Sequence, residues 1–99
     1  MFARVSTAQT TPDSWDESLA IWREQVLPRL RQQQGFKGIV VFGDRKTNKA
    51  GSVTLWETEA DAEASRNSGQ MRDALASLAP VLAGQPTMEH HEVAILEIV

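Results

Sequence analysis

The sequence predicts an α+β protein in which helices cover an antiparallel sheet. Its hydrophobic periodicity changes from a strand pattern to a helix pattern within Val53–Ser65. Runs rich in β-branched and aromatic residues recur elsewhere, at Phe2–Thr7, Phe36–Asp44 and Met88–Val99. Because helical stripes separate these runs, we expect the order strand, helix, strand, strand, helix pair, strand.

The first helix follows the strand Phe2–Thr7 and a polar linker, Ala8–Thr11. It should begin near Pro12, with Asp13 or Ser14 as its cap. Its large apolar residues recur at helical spacing and form one stripe. These residues are Trp15, Leu19, Trp22 and Val26.

Two residues should shape the end of this helix. Pro28 cannot donate a hydrogen bond to the carbonyl of Glu24, so we expect it to kink the turns that run to Gln33. Gly35 should then end the helix in the left-handed conformation, which glycine adopts without steric cost.

A β-hairpin should follow the first helix. Phe36–Asp44 and Gly51–Glu57 predict its two strands, and Arg45–Ala50 predicts the connecting loop. Asn48 is the loop residue best suited to a positive φ.

The second helical region should begin at Thr58, whose hydroxyl can accept a hydrogen bond from the backbone of Asp61. We expect this helix to run to Asn67 and to break at Ser68–Gly69. A further helix should carry an apolar stripe, with Pro80 starting a separate final turn. The stripe consists of Met71, Leu75, Leu78 and Leu82.

This element order predicts the topology of the sheet. Right-handed crossovers from one sheet place both helical regions on the same face. The prediction is therefore a ferredoxin-like βαββαβ sandwich with an antiparallel sheet, formed as a single domain by residues 1–99.

Composition excludes several classes of function. The net charge is −3 and the chain has no cysteine, so thiolate metal sites and thiol nucleophiles are excluded. The basic residues form no continuous face, and the acidic run Glu57–Glu63 would repel phosphates, so we expect no nucleic acid partner. No stretch approaches the roughly 20 apolar residues that span a bilayer. We also see no signal peptide, and we therefore expect a cytoplasmic protein without membrane contact.

The strands predict a partner for the sheet. Residues Ile39–Phe42 and Val93–Leu96 are continuously apolar, so both faces of the sheet carry apolar groups. Helices cover only one face, and the other would expose an apolar patch larger than monomers usually show. We therefore expect a homodimer through sheet-to-sheet packing.

Several short motifs resemble the antibiotic biosynthesis monooxygenase (ABM) family of dimeric α+β barrel proteins. They are Gly35–Phe36 after a helix, Leu55–Glu57 before Thr58–Ala62, and the last strand around Glu89–Val93. The resemblance implies a homodimer with a small-molecule cavity between the sheet and the helices of each subunit. It also implies activities that include cofactor-independent oxygenation of aromatic molecules.

Haem-degrading members of this family use a first-strand asparagine, a tryptophan and a helical histidine. Here the first strand offers Arg4, Ser6 and Thr7, and neither helical region contains histidine. Many other members carry a histidine early in the helix that follows the third strand, where this chain has Ala62–Ser68. The sequence therefore predicts neither haem nor any other cofactor or metal.

The two histidines are the candidate catalytic residues. His90 and His91 are adjacent on the predicted fourth strand, so their side chains should point to opposite faces. Whichever one faces the helices would border the cavity and could act as a general base. The alternative is that one lies at the dimer interface or in solvent while the other is a hydrogen-bonded core residue.

We predict that the ligand contacts aromatic and polar residues around the cavity. Trp56 ends a strand beside a helix start, which favours a place in the cavity wall. Arg66 lies at the helix break and could hold an anionic or quinone oxygen, although surface solvation explains it as well. The predicted substrate-binding residues are Trp56, Trp22, Phe36, Arg66, Asn67 and Met71.

Three hypotheses for function remain open from the sequence. The first is a cofactor-independent monooxygenase acting on an aromatic or quinone-type small molecule. The second is a non-catalytic or stress-associated dimer that binds a small apolar or aromatic ligand. The third is an interaction protein with a filled core and no cavity. A cavity would exclude the third, and the polar atoms that point into it would separate the first two.

Overall fold

The computed structural model describes all residues, 1–99. Its four-stranded antiparallel sheet has the order β2-β3-β1-β4. The strands are β1 (Phe2–Gln9), β2 (Phe36–Asp44), β3 (Lys49–Trp56) and β4 (Thr87–Glu92). This is the predicted ferredoxin-like α+β topology, with both helical regions on one face of the sheet.

The helical layer consists of short segments. They are α1 (Trp15–Ile21), a π-helical segment (Trp22–Val26), α2 (Leu27–Leu30), α3 (Glu59–Arg66), α4 (Gly69–Ala76) and a 3₁₀ turn (Ala79–Val81). None of the helices is long and apolar enough to cross a membrane.

The first helical region departs from a regular α-helix just before Pro28, where we predicted a kink. The π-helical segment precedes it, and the backbone N–H of Leu27 bonds the carbonyl of Trp22. The missing N–H of Pro28 thus leads to a wider turn rather than to a break. Gly35 then adopts the predicted left-handed conformation, with φ of 78°.

The caps of the second helical region also follow the prediction. The N–H of Asp61 donates to the hydroxyl of Thr58 at 3.1 Å. The N–H of Met71 donates in the same way to Ser68, which caps α4 at 3.1 Å. Each hydroxyl thus satisfies a backbone N–H in the first turn of its own helix, Thr58 at the start of α3 and Ser68 at the start of α4.

The hairpin is tighter than predicted. Its strands pair as far as Asp44 opposite Lys49, and β1 pairs with β3 as far as Gln9 opposite Lys49. The strands therefore include Ala8 and Gln9 of the predicted linker and Lys49 and Ala50 of the predicted loop. Pairing satisfies backbone hydrogen bonds that a loop would leave open. Asn48 has the expected positive φ, 59°.

The prediction that the last strand runs to Val99 is wrong. The strand β4 ends at Glu92, which lies opposite Phe2, the first residue of β1. One more hydrogen bond joins Val93 to the carbonyl of Met1, after which no strand residue remains to pair with. The apolar tail beyond it is exposed, with Ile95 at 86% and Ile98 at 83%.

The core lies between β3 and the helices. Its fully buried side chains include Trp56 and Val26, and Ala62 of α3 closes over them. Phe36 packs edge-on against Trp56, with ring centroids 5.5 Å apart.

Candidate functional site

A cavity of about 170 Å³ lies between the sheet and the helices. Cross-strand pairs of small residues form its floor, with Ser6 opposite Ser52 and Ala8 opposite Ala50. Interiors are normally packed without voids of this size, and larger side chains at these positions would fill the space. The cavity therefore follows directly from small residues at alternate positions of two neighbouring strands.

Apolar residues of the helical layer form the opposite wall. Trp15 and Trp22 contribute indole rings. Trp15 lies so close to the strand that a β-carbon at Gly43 would be 2.2 Å from its ring. The predicted stripe of the second helical region completes the wall, with Met71, Leu75, Leu78 and Leu82.

The polar part of the lining contains hydroxyls and one charge. The hydroxyl residues are Ser6, Thr10, Ser18, Ser52 and Thr54, and the charged residue is Arg4. No histidine, aspartate or glutamate lines the cavity. The cavity therefore offers an apolar volume for a ring and hydrogen-bond donors for oxygen atoms. It contains no histidine or carboxylate that could act as a general base.

Arg4 is the most unusual residue of this site, because it is a charged side chain of which only 7% is exposed. Its guanidinium carbon lies 5.6 Å from the centroid of the Trp56 ring, within the range of a cation–π contact. Its Nε donates to Nε2 of His90 at 3.2 Å, and its Nη2 donates to the carbonyl of Ala62. These contacts from β3, β4 and α3 fix the orientation of the group.

Burial lowers the pKa of Arg4 below its ordinary value. The positive charge of Arg66 lowers the pKa further, whereas the negative charge of Glu63 raises it. Arginine nevertheless keeps its proton in proteins, so the cavity contains a fixed positive charge.

The structure separates the two predicted catalytic histidines. His90 lies on the helix-covered face, paired across the strands with Arg4. His91 points to the open face, where its Nε2 is 4.0 Å from the carboxylate of Glu89. His90 is thus the histidine closer to the cavity, although its ring does not line it.

Trp56 lies in the core and not in the cavity wall. Thr54 and the guanidinium of Arg4 stand between the indole and the cavity, and Trp56 donates from Nε1 to the hydroxyl of Thr54 at 2.9 Å. The strand end does meet a helix start, as the sequence indicates, but Ala62 and Phe36 close the space around it. The indole therefore contacts and positions two residues that line the cavity, Thr54 and Arg4.

The other predicted binding residues divide into two groups. Trp22 and Met71 line the cavity. Phe36 packs against the core, while Arg66 and Asn67 are exposed at the end of α3.

Arg4 is a lining residue that the sequence did not predict. The sequence pattern that could have indicated it is the alternation of side chains along a strand. Arg4, Ser6 and Ala8 lie at alternate positions of β1, so they point to the same face of the sheet. Their partners on β3 are Thr54, Ser52 and Ala50.

The fold and the internal cavity define this protein as a ferredoxin-like α+β sandwich of a kind that can enclose a small molecule. The sequence profile described as antibiotic biosynthesis monooxygenase matches residues 1–77. The chain therefore belongs to the antibiotic biosynthesis monooxygenase (ABM) family, as the sequence motifs predicted. Members of this family are typically dimeric.

Solved structures confirm the fold. SnoaB, a cofactor-independent oxygenase from Streptomyces nogalater whose structure was determined as a point mutant, superposes with a TM-score of 0.80. Its identity to this chain is 9%, and the match covers 96% of this chain and 94% of SnoaB. An antibiotic biosynthesis monooxygenase superposes with a TM-score of 0.77 at 14% identity, over 96% of this chain and 100% of that one.

Sequence relatives include the uncharacterized proteins Rv2557 and Rv2558 of Mycobacterium tuberculosis. Rv2557 is 28% identical over 96 residues and Rv2558 is 29% identical over 97 residues. Each match covers 97% of this chain but only 42% and 40% of the respective relative. The chain thus spans less than half the length of these proteins.

Proposed function

We propose that this protein is a cofactor-independent monooxygenase that oxidises a small aromatic molecule in the cavity between the sheet and the helices. The observation that carries the proposal is the cavity itself, which is apolar, walled by Trp15 and Trp22, and floored by the Ser6–Ser52 pair. Sites of this kind orient a flat ring and exclude water from it. Membership of the ABM family supports the same chemistry.

The size of the cavity restricts the substrate. Its volume of about 170 Å³ is close to the ~150 Å³ of an engineered apolar cavity that binds benzene. One ring or two fused rings fit this space. A larger polycyclic substrate would require the helices to move away from the sheet.

The reaction needs no reductant from the protein. A phenol or an acidic ring C–H loses its proton, and the resulting anion transfers electrons directly to O₂. When a ring carbon becomes a carbonyl carbon, the substrate supplies all the electrons, one oxygen atom enters the product and the other leaves as water. The protein contributes orientation, exclusion of water and stabilisation of the developing negative charge.

The site favours a substrate that is itself acidic, because no carboxylate or histidine lines the cavity. His90 is the residue of the predicted catalytic pair that we retain as a proton acceptor. Its Nε2 is engaged by Arg4 at 3.2 Å, so it reaches a substrate proton only when that hydrogen bond opens. His91 faces away from the cavity, and we assign it no catalytic role.

Oxygen uptake with a panel of naphthols and hydroxyquinones tests this proposal. We expect uptake with at least one of them, and one labelled oxygen atom in the product when ¹⁸O₂ is supplied. Ser52→Leu should abolish uptake, because it fills the centre of the cavity floor. Ala64→Leu, at an exposed position of α3 that does not line the cavity, should leave it unchanged. Equal turnover by the two variants would place the reaction elsewhere.

The alternative is a non-catalytic protein that binds a small apolar or aromatic ligand, and the absence of a histidine or carboxylate from the lining favours it. The two functions differ in a simple measurement. Under the alternative, the panel molecules quench the fluorescence of Trp15 and Trp22 and no oxygen is consumed. Binding without uptake would therefore replace the first proposal with the second.

We also propose that two copies associate through the open face of the sheet. Val40 and Phe42 are 58% and 43% exposed on this face, beside Val53 and Leu55 of the neighbouring strand. Phe42 lies across Gly51, so its ring stays flat on the sheet. A contiguous apolar surface of this kind is typical of an interface.

A further inference from the structure

Arg4 is a buried charge without a partner of opposite charge. The ion pairs of the protein join Lys37 to Glu57 and Arg45 to Asp16, and no carboxylate oxygen lies within 4.0 Å of Arg4. Arginine is rarely buried unless it is paired, because removing its charge from water is costly. The cost therefore requires an explanation in the function of the site.

The contacts that Arg4 makes fix its position without neutralising it. Its acceptors are a ring nitrogen of His90 and the carbonyl of Ala62, and its flat face lies over Trp56. The charged residues around it are Glu63 and Arg66 of α3, which act on it at longer range and with opposite sign. Local charges therefore leave most of the positive charge uncompensated.

Part of the guanidinium remains free to bind. The group carries five N–H donors, and protein acceptors engage only Nε and Nη2. Both donors on Nη1 are without a protein acceptor, and Arg4 lines the cavity. A planar cation with unpaired N–H donors can bind an oxyanion.

A second donor lies next to Arg4 in the sheet. Thr54 is directly opposite Arg4 on β3 and also lines the cavity. Its hydroxyl oxygen accepts from Trp56 at 2.9 Å, so its own O–H is free to donate elsewhere. Arg4 and Thr54 together therefore present donors to one end of a cavity whose remaining lining is largely apolar.

We propose that Arg4 and Thr54 bind the oxyanion of the cavity's ligand, which identifies the ligand class as small aromatic acids. The ring occupies the apolar space near Trp22, and the carboxylate or phenolate lies against Arg4. The ligand thus supplies the counter-charge that the fold omits. This inference rests on the proposed function only in requiring that the cavity holds an aromatic molecule.

The test compares two probes of nearly the same shape. We would titrate the full chain with 2-naphthoate and with its neutral amide, 2-naphthamide, and follow tryptophan fluorescence or calorimetry. We expect the anion to bind at least about tenfold more tightly, as a charge-assisted hydrogen bond in a dry site is stronger than a neutral one. A second pair, 4-nitrophenolate and 4-nitroanisole at mildly alkaline pH, shows whether a phenolate is preferred to its neutral ether in the same way.

Variants assign the preference to Arg4. Arg4→Met keeps a long unbranched side chain and should bind both naphthyl probes equally. Arg72→Met removes the same charge from the exposed surface of α4 and should keep the full preference. Thr54→Val should reduce the preference to a smaller extent. Circular dichroism and thermal melting establish that each variant is folded.

The outcomes separate this inference from the proposed function. Equal binding of the two naphthyl probes by the wild-type protein, or an undiminished preference in Arg4→Met, would overturn the role of Arg4 while leaving the cavity as a binding site. No binding of either probe would overturn the proposed cavity function as well. If Arg4→Met does not fold, two other measurements test the role of Arg4. They are the ratio of 2-naphthoate to 2-naphthamide affinity in the wild-type protein and the same ratio in Arg4→Lys, which keeps the charge but lacks the planar fork.

Discussion

The two faces of the sheet are built on opposite principles. The helix-covered face has small residues at its centre, such as Ser6 and Ser52, and borders a cavity and a buried charge. The open face carries larger apolar side chains, such as Val40 and Phe42, which lie in solvent. A protein optimised only for stability would use these residues the other way round. The difference indicates that one face is built to receive a small molecule and the other a protein surface.

The largest expected effect concerns the core behind the cavity. Trp56→Ala removes a fully buried indole that packs on Phe36 and supports Arg4, and should destabilise the fold by about 3–5 kcal/mol. Leu55→Ala truncates the neighbouring residue, which faces the open side, and should cost clearly less. Urea unfolding measures both values. Similar losses would mean that the two faces are packed alike.

The next prediction concerns the open face. Val40→Glu combined with Phe42→Glu should weaken the proposed dimer by at least about 100-fold, because the charges would have to be buried at the interface. The protomer should remain folded, since both side chains are already exposed. Analytical ultracentrifugation checks the association.

Ala64→Glu, on an exposed position of α3, is the control and should leave the dimer intact. A wild-type chain that stays monomeric at micromolar concentration would contradict the proposed dimer through the open face. A double variant that still dimerises would move the interface to another surface.

A smaller effect is expected from two glycines of β2. A β-carbon at Gly43 would lie 2.2 Å from the ring of Trp15, so Gly43→Ala should displace this wall of the cavity and cost about 1–3 kcal/mol. A β-carbon at Gly38 would meet only Leu55, at 3.8 Å, so Gly38→Ala should be tolerated. Thermal unfolding compares the two variants. Equal costs would show that Trp15 is not held tightly against the sheet.

Local patterns in the sequence were sufficient for the topology and for the helical wall of the cavity. The stripe Met71, Leu75, Leu78 and Leu82 was recognisable from spacing alone, and all four residues line the cavity. The cap at Thr58 and the left-handed Gly35 were equally local and are confirmed. Such features depend on neighbours within one turn of the chain, which a sequence shows directly.

Features that depend on distant pairing were not predictable in this way. The end of β4 is set by where β1 begins, and its own composition continues as a strand to the last residue. The role of Arg4 depends on His90 and on the carbonyl of Ala62, which lie far away in the chain. An arginine in a short strand usually indicates solvent exposure, so only the assembled sheet and helix show that it is buried.

The most direct test of the account is a crystal structure of the wild-type protein with 2-naphthoate. We predict density for the ring between Trp22 and the Ser6–Ser52 pair, with the carboxylate within hydrogen-bonding distance of Nη1 of Arg4. Density for the ring on the open face near Phe42, or a carboxylate directed away from Arg4, would contradict it.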